Sequence, residues 1–97
     1  MKATINGARY SSSKCEDLAE KRHYNNGNYS GTSYLLLASD GTYLIHTDSN
    51  GQDCYFRDSL FEANWENVTA QDFLEGCDLD EGQEQRLVEL GLLKMVE

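Results

Sequence analysis

The chain of 97 residues has no proline, only three cysteines and only eight lysine plus arginine residues. Each scarcity excludes something. No proline-rich stretch, low-complexity tract, internal repeat or interdomain linker divides the sequence, and its length fits one domain. The longest unbroken apolar run is Tyr34-Leu35-Leu36-Leu37-Ala38, far short of the ~20 residues a helical membrane span needs. The first ten residues carry Lys2 but no apolar stretch, which predicts no export signal. Cys15, Cys54 and Cys77 are odd in number and widely spaced. Without export they read as reduced thiols in a cytoplasmic protein. The scarcity of bases leaves a net charge of −9. Nucleic acid and anionic membranes would both repel such a surface, so direct binding to either is not expected.

Familiar chemistry is also missing. There is no G-x-x-x-x-G-K-[ST], no G-x-G-x-x-G and no triad spacing. The cysteines with His23 and His46 lack any zinc-ligand spacing. Asp78, Asp80 and Glu89 fall at positions 1, 3 and 12 of a calcium loop. Position 6, which needs glycine, is Gln83. No metal, cofactor or catalytic residue is therefore expected.

The content that is present divides sharply by charge. Residues 1–57 carry six acids and six bases. Residues 58–97 carry eleven acids and two bases, Arg86 and Lys94. The whole net charge thus lies in the last forty residues. That segment also holds Leu60, Phe61, Trp65, Phe73, Leu87 and Leu90, more apolar content than a disordered acidic tail carries. It should fold, with its acids outside.

The local signals predict an α+β domain. Asn6-Gly7 marks an N-terminal hairpin. Ser13-Lys14-Cys15-Glu16 matches a capping box, predicting a helix over Lys14–His23 that Asn25-Asn26-Gly27-Asn28 ends. Ser33–Ala38, Thr42–Thr47 and Gln52–Arg57 read as a three-stranded antiparallel meander. A two-residue Asp40-Gly41 turn would pair Ala38 with Tyr43 and Leu36 with Ile45. Tyr34, Leu36, Ala38, Tyr43, Ile45, Cys54 and Phe56 would then form the core face, and Leu35, Leu37, Leu44 and His46 a mixed face. Two or three short helices should follow. One would start at Ser59 and reach Trp65, one would cover about Ala70–Glu75, and one would end at Leu90 before Gly91.

The acids of the last segment form an unusual constellation. Glu62, Glu66, Asp72, Glu75, Asp78, Asp80, Glu81, Glu84 and Glu89 are the candidate partner-binding residues. Glu62–Glu66 and Asp80–Glu84 are like-charge i,i+4 pairs, which weaken a helix. A basic partner that neutralises them offers a reason for accepting this. Carboxylates on successive helical turns repeat at ~5.4 Å, a spacing on the scale of phosphates along nucleic acid. Carboxylates only accept, so each suits an Arg or Lys donor.

The meander YLLLASDGTYLIHTDSNGQDCYF and the acidic stretch FEANWENVTAQDFLEGCDLDEGQEQRLVEL together resemble small phage- or plasmid-encoded inhibitors. The similarity is greatest to the DNA-mimicking anti-CRISPR proteins that act on type I-F systems. The resemblance covers the whole chain and lies in size, acidity and a compact α+β body. It implies binding to a crRNA-guided surveillance complex at the basic region that recognises the PAM-bearing duplex. An antitoxin-like or other regulatory protein with a different basic partner is the alternative.

Overall fold

The computed structural model describes residues 1–49, 58–63 and 73–96. The architecture is mixed and mostly antiparallel, roughly α+β. Strands β1 (Lys2–Ile5) and β2 (Ala8–Ser11) form the N-terminal hairpin. Asn6 and Gly7 take φ of 51° and 81° at its turn, the positive values a type I′ hairpin requires. Strands β3 (Glu16–Asn25), β4 (Asn28–Leu37), β5 (Tyr43–Ser49) and β6 (Ser59–Glu62) form a four-stranded antiparallel sheet in that order. Helix α1 covers Glu81–Glu89.

The expected helix over Lys14–His23 is instead the edge strand β3. Both halves of its capping box are used elsewhere. The Ser13 hydroxyl meets that of Ser11 at 3.0 Å, and the Glu16 carboxylate takes Arg86. Asn26 and Gly27 have φ of 52° and 82°, so this pair turns a hairpin just as Asn6-Gly7 does. The polar run 28–32 is therefore the first half of β4.

The β4–β5 connection is also one residue longer than expected. Leu37 pairs with Tyr43, Leu36 with Leu44 and Leu35 with Ile45. Ala38 donates to the Thr42 carbonyl at 2.8 Å, Gly41 donates to that of Ala38 at 3.0 Å, and Gly41 has φ of 90°. This is a three-residue loop with glycine in the left-handed position. The shift regroups the faces. Tyr34, Leu36 and Ala38 share theirs with Leu44, while Leu35 and Leu37 share the other with Tyr43 and Ile45.

Both faces are cores. On one, the hairpin lays Ala3, Ile5 and Tyr10 over Leu36, Ala38, Leu44 and Leu60. The Tyr10 hydroxyl donates to Asp40 at 2.7 Å and lies 3.1 Å from that of Thr42, pinning the hairpin to the β4–β5 loop. On the other, Phe73 and Leu87 pack over Leu18, Ala19, Leu35 and Ile45. Leu18 is the extra residue of a bulge between Asp17 and Ala19. The bulge lets Leu18 and Ala19 both enter that core, where each is 1% exposed.

The expected strand over 52–57 lies outside the described residues. The expected helix from Ser59 is contradicted, because Ser59–Glu62 pairs along β5 as β6. Here sheet pairing overrides a local capping signal, and Phe61 is 43% exposed. The strand expectation of three becomes four, reached by β3 at one edge and β6 at the other. Residues 73–75 are helical, in keeping with the second expected helix. Helix α1 and its ending are as expected. Leu92 donates to Leu87 and Gly91 to Val88, both at 3.0 Å, with Gly91 at φ 78°. That is a Schellman ending. The charge boundary after Arg57 is not a fold boundary, since 59–62 belongs to the sheet.

Leu35 is fully buried at the centre of the helix-side core. Leu35→Ala should destabilise the fold by about 3 kcal/mol. Urea denaturation followed by circular dichroism checks this.

Candidate partner-binding surface

Sheet order separates the nine candidate acids. Glu62 ends β6 and stands opposite Leu44, so it lies on the hairpin side at the far edge. Its carboxylate accepts from Asn6 Nδ2 at 3.0 Å. Helix α1 docks instead beside β3, where Arg86 bonds Glu16 at 2.7 and 3.0 Å. The two edges are three strand spacings apart, roughly 14 Å. Glu62 therefore does not join Glu75, Asp78, Asp80, Glu81, Glu84 or Glu89. Glu66 and Asp72 lie outside the described residues.

Glu75, Asp78, Asp80, Glu81 and Glu84 are brought together by the chain itself. They fall within residues 75–85, a stretch without Lys or Arg, and this stretch leads into α1 over the helix-side face. Leu74, Cys77 and Leu79 pack against the core between them, which leaves Glu75, Asp78, Asp80 and Glu81 exposed and Glu84 half-buried.

Besides Glu62, two of the acids have structural partners among the described residues. Asp80 is the N-cap of α1: its Oδ1 accepts from the Gln83 amide at 2.7 Å, and the Gln83 side chain accepts from the Asp80 amide at 3.0 Å. Glu89 lies 3.5 Å from Arg86. Glu81 and Glu84 sit in the first turn, where the helix dipole favours negative charge. Residues 81–89 are helical, which carries Glu89 about 13 Å along the axis from Asp80. The calcium-loop spacing thus folds as a helix and does not form a loop.

Sequence reasoning missed the contribution of the charge-balanced part. Glu16 takes Arg86 in a bidentate pair that lowers the Glu16 pKa through the hydrogen bond first. Glu20 lines a hollow of about 400 Å³ with Asp78, where Lys21, Arg22, Tyr24 and Gly76 also stand. The Lys21 ammonium lies close against Gly76. These two carboxylates join the acidic side only because 16–25 is a strand. A helix over the same residues offers no signal for it.

Other chemical groups have structural explanations. Cys15 packs on the hairpin side and Cys77 on the helix side, so they cannot share a metal. Burial pushes the Cys77 thiol up to about 11, and it donates to the Phe73 carbonyl at 3.0 Å. Burial also raises Cys15. Cys54 lies outside the described residues. His46 stacks on Tyr34 with ring centroids 5.9 Å apart. His23 Nε2 lies 2.8 Å from Ser33 Oγ, and Ser33 Oγ lies 2.9 Å from Thr47 Oγ1. This resembles a serine–histidine pair, but Ser33 is 5% exposed and closed to a substrate. Among the described residues no three His, Cys, Asp or Glu side chains converge as a metal site. No described helix is long and apolar enough to cross a membrane.

Comparison with protein-family models, curated proteins and solved structures finds no match to this chain.

Two outcomes follow from these positions. Asp80→Ala removes the cap and should lower stability by about 1 kcal/mol, measured by thermal melting. His23 is held below its ordinary value of 6.5, by burial first and then by Lys21. The unfolded chain therefore binds the proton more readily. The contribution of neutral His23 is complete above pH 6.5 and declines as pH falls towards the lower folded value. Replacing His23 with Gln should flatten stability over that window, and nuclear magnetic resonance should give a His23 pKa below 6.5.

Proposed function

We propose that this chain is a non-enzymatic inhibitor that occupies a Lys/Arg surface built for nucleic acid. One observation carries the reading. The whole net charge of −9 lies in residues 58–97, and five of those carboxylates occur on one stretch without bases. Arg86, the nearest base in sequence, is already engaged by Glu16 and Glu89, and Lys21 stands against Gly76 at one end of the stretch. The remaining carboxylates accept charge-assisted hydrogen bonds from an incoming Arg or Lys. Asp80 and Glu84, four residues apart at the start of α1, stand about one helical rise of ~5.4 Å apart.

The resemblance to DNA-mimicking anti-CRISPR proteins supports a more specific target, a type I-F surveillance complex at its PAM-recognising region. With Glu62 on the hairpin side, this reading centres on Glu75, Asp78, Asp80, Glu81 and Glu84, with Glu20 beside Asp78. An antitoxin-like role towards another basic protein uses the same charges but leaves DNA binding by the partner intact.

The test combines a purified type I-F surveillance complex, labelled target DNA and two versions of the chain. One is unaltered. The other carries Glu75→Gln, Asp78→Asn, Glu81→Gln and Glu84→Gln and keeps the Asp80 cap. The unaltered chain should displace DNA, and the four-fold variant should need at least about ten-fold more protein, given charge-assisted bonds of about 1.5 kcal/mol or more each. Thermal melting confirms that the variant folds. Full inhibition by the variant would show that these acids are not the binding surface.

A further inference from the structure

The sheet also carries an aromatic hollow that the acidic stretch does not account for. Register sets Glu20, Tyr34 and His46 in one row across β3, β4 and β5, with Arg22, Thr32 and Asp48 in the next. Beyond them Tyr24 and Tyr29 meet edge to face at 6.1 Å. Glu20, Arg22, Tyr24, Tyr29, Thr32 and Tyr34 line an open depression of about 420 Å³, and register sets Asp48 beside Thr32. Tyr24 is 61% exposed and Tyr29 45% exposed. The hairpin core stops short of them, at Tyr34. Grouped tyrosines on an open sheet face are the composition of an interface, where a ring supplies contact area at small entropic cost.

Charge selects the occupant. Burial raises the Tyr34 phenol first, followed by Glu20, Tyr29 and Asp48, so two carboxylates act on this ring. Arg22 is the one cation lining the hollow and has no ion-pair partner among the described residues. Glu20 and Asp48 outnumber it. A nucleobase would stack equally well on these rings, but its phosphate meets a chain of net charge −9. A second copy of the chain brings the same charge. A cationic side chain has attractive partners in both the ring faces and the carboxylates.

Position links the hollow to the acidic stretch. The hollow beside Asp78 and the tyrosine hollow share Glu20, Arg22 and Tyr24. The two therefore meet over the edge of β3, and one partner surface can cover both.

We propose that the tyrosine hollow receives an arginine side chain of the basic partner, held on Tyr24, Tyr29 and Tyr34 with Glu20 and Asp48 as its carboxylate acceptors. The proposal rests on the reading of the chain as a ligand for a basic protein. It adds a specific anchor to a surface otherwise defined by charge.

The probe is the blocked tripeptide acetyl-Gly-Arg-Gly amide, compared with the same peptide containing neutral citrulline. Tyrosine ring signals are followed by nuclear magnetic resonance in the unaltered chain and in the four-fold acid variant. The arginine peptide should shift the Tyr24, Tyr29 and Tyr34 rings in both proteins and bind about two- to five-fold more tightly than the citrulline peptide. Tyr24→Leu with Tyr29→Leu should weaken arginine-peptide binding about five-fold or more, with the amide spectrum confirming the fold. Equal binding of the two peptides overturns the proposal. So do shifts confined to residues 75–84, or ring shifts that follow protein concentration without peptide. If the unaltered chain displaces DNA while its rings ignore the peptide, the hollow fails and the proposed function stands. If the four-fold variant loses DNA displacement while its rings still respond, the hollow is supported independently of the acids.

Discussion

Strand β4 is buried from both sides, and the rest of the fold depends on that constraint. Leu35 and Leu36 are adjacent, point to opposite faces and are 0% and 1% exposed. Neither face can be left to water. The N-terminal hairpin covers Leu36, and the segment from Phe73 through Leu93 covers Leu35. Burying a leucine contributes about 1.5–3 kcal/mol, so both covers are needed to hold one central strand. The three layers also fix where charge can go. The acidic stretch contributes its leucines to one core and has its carboxylates left outside.

Two local irregularities adapt the long β3–β4 ladder to this arrangement. The bulge at Leu18 moves the pairing by one residue, and a second shift between His23 and Tyr24 moves it back. Between them, Lys21 pairs with Ser33 and His23 with Gly31, on the helix side. Glu20 and Arg22 take the opposite face beside Tyr34 and Thr32. The edge of β3 thus carries groups that contribute to the acidic side and to the tyrosine hollow at once. A straight helix over these residues would have dispersed them.

Sequence patterns disclosed those parts whose signals had one meaning. Asn6-Gly7 turned a hairpin, and Gly91 ended a helix with Leu87 and Leu92 in one core. Where two signals competed, the local one lost. The capping patterns at Ser13 and Ser59 both gave way to strand pairing, because ladder bonds and two-sided burial outweigh one capped turn. The extra residue in the Ser39–Gly41 loop exchanged Ile45 for Leu44 on the hairpin-side face. The acids were readable by count but not by direction. Only the sheet order shows that Glu62 stands apart and that Glu16 and Glu20 belong with the acidic side.

The central claim is that carboxylates on residues 75–84 engage basic groups made for nucleic acid. The most direct measurement is the dependence of affinity on salt, with the surveillance complex, for the unaltered chain and for the four-fold variant. Screening tightens from a Debye length of about 10 Å at 0.1 M to about 3 Å at 1 M. The expected result is a steep loss of affinity with salt for the unaltered chain and a much shallower one for the variant. Equal slopes for the two proteins would contradict the claim, since the removed charges would then take no part in binding.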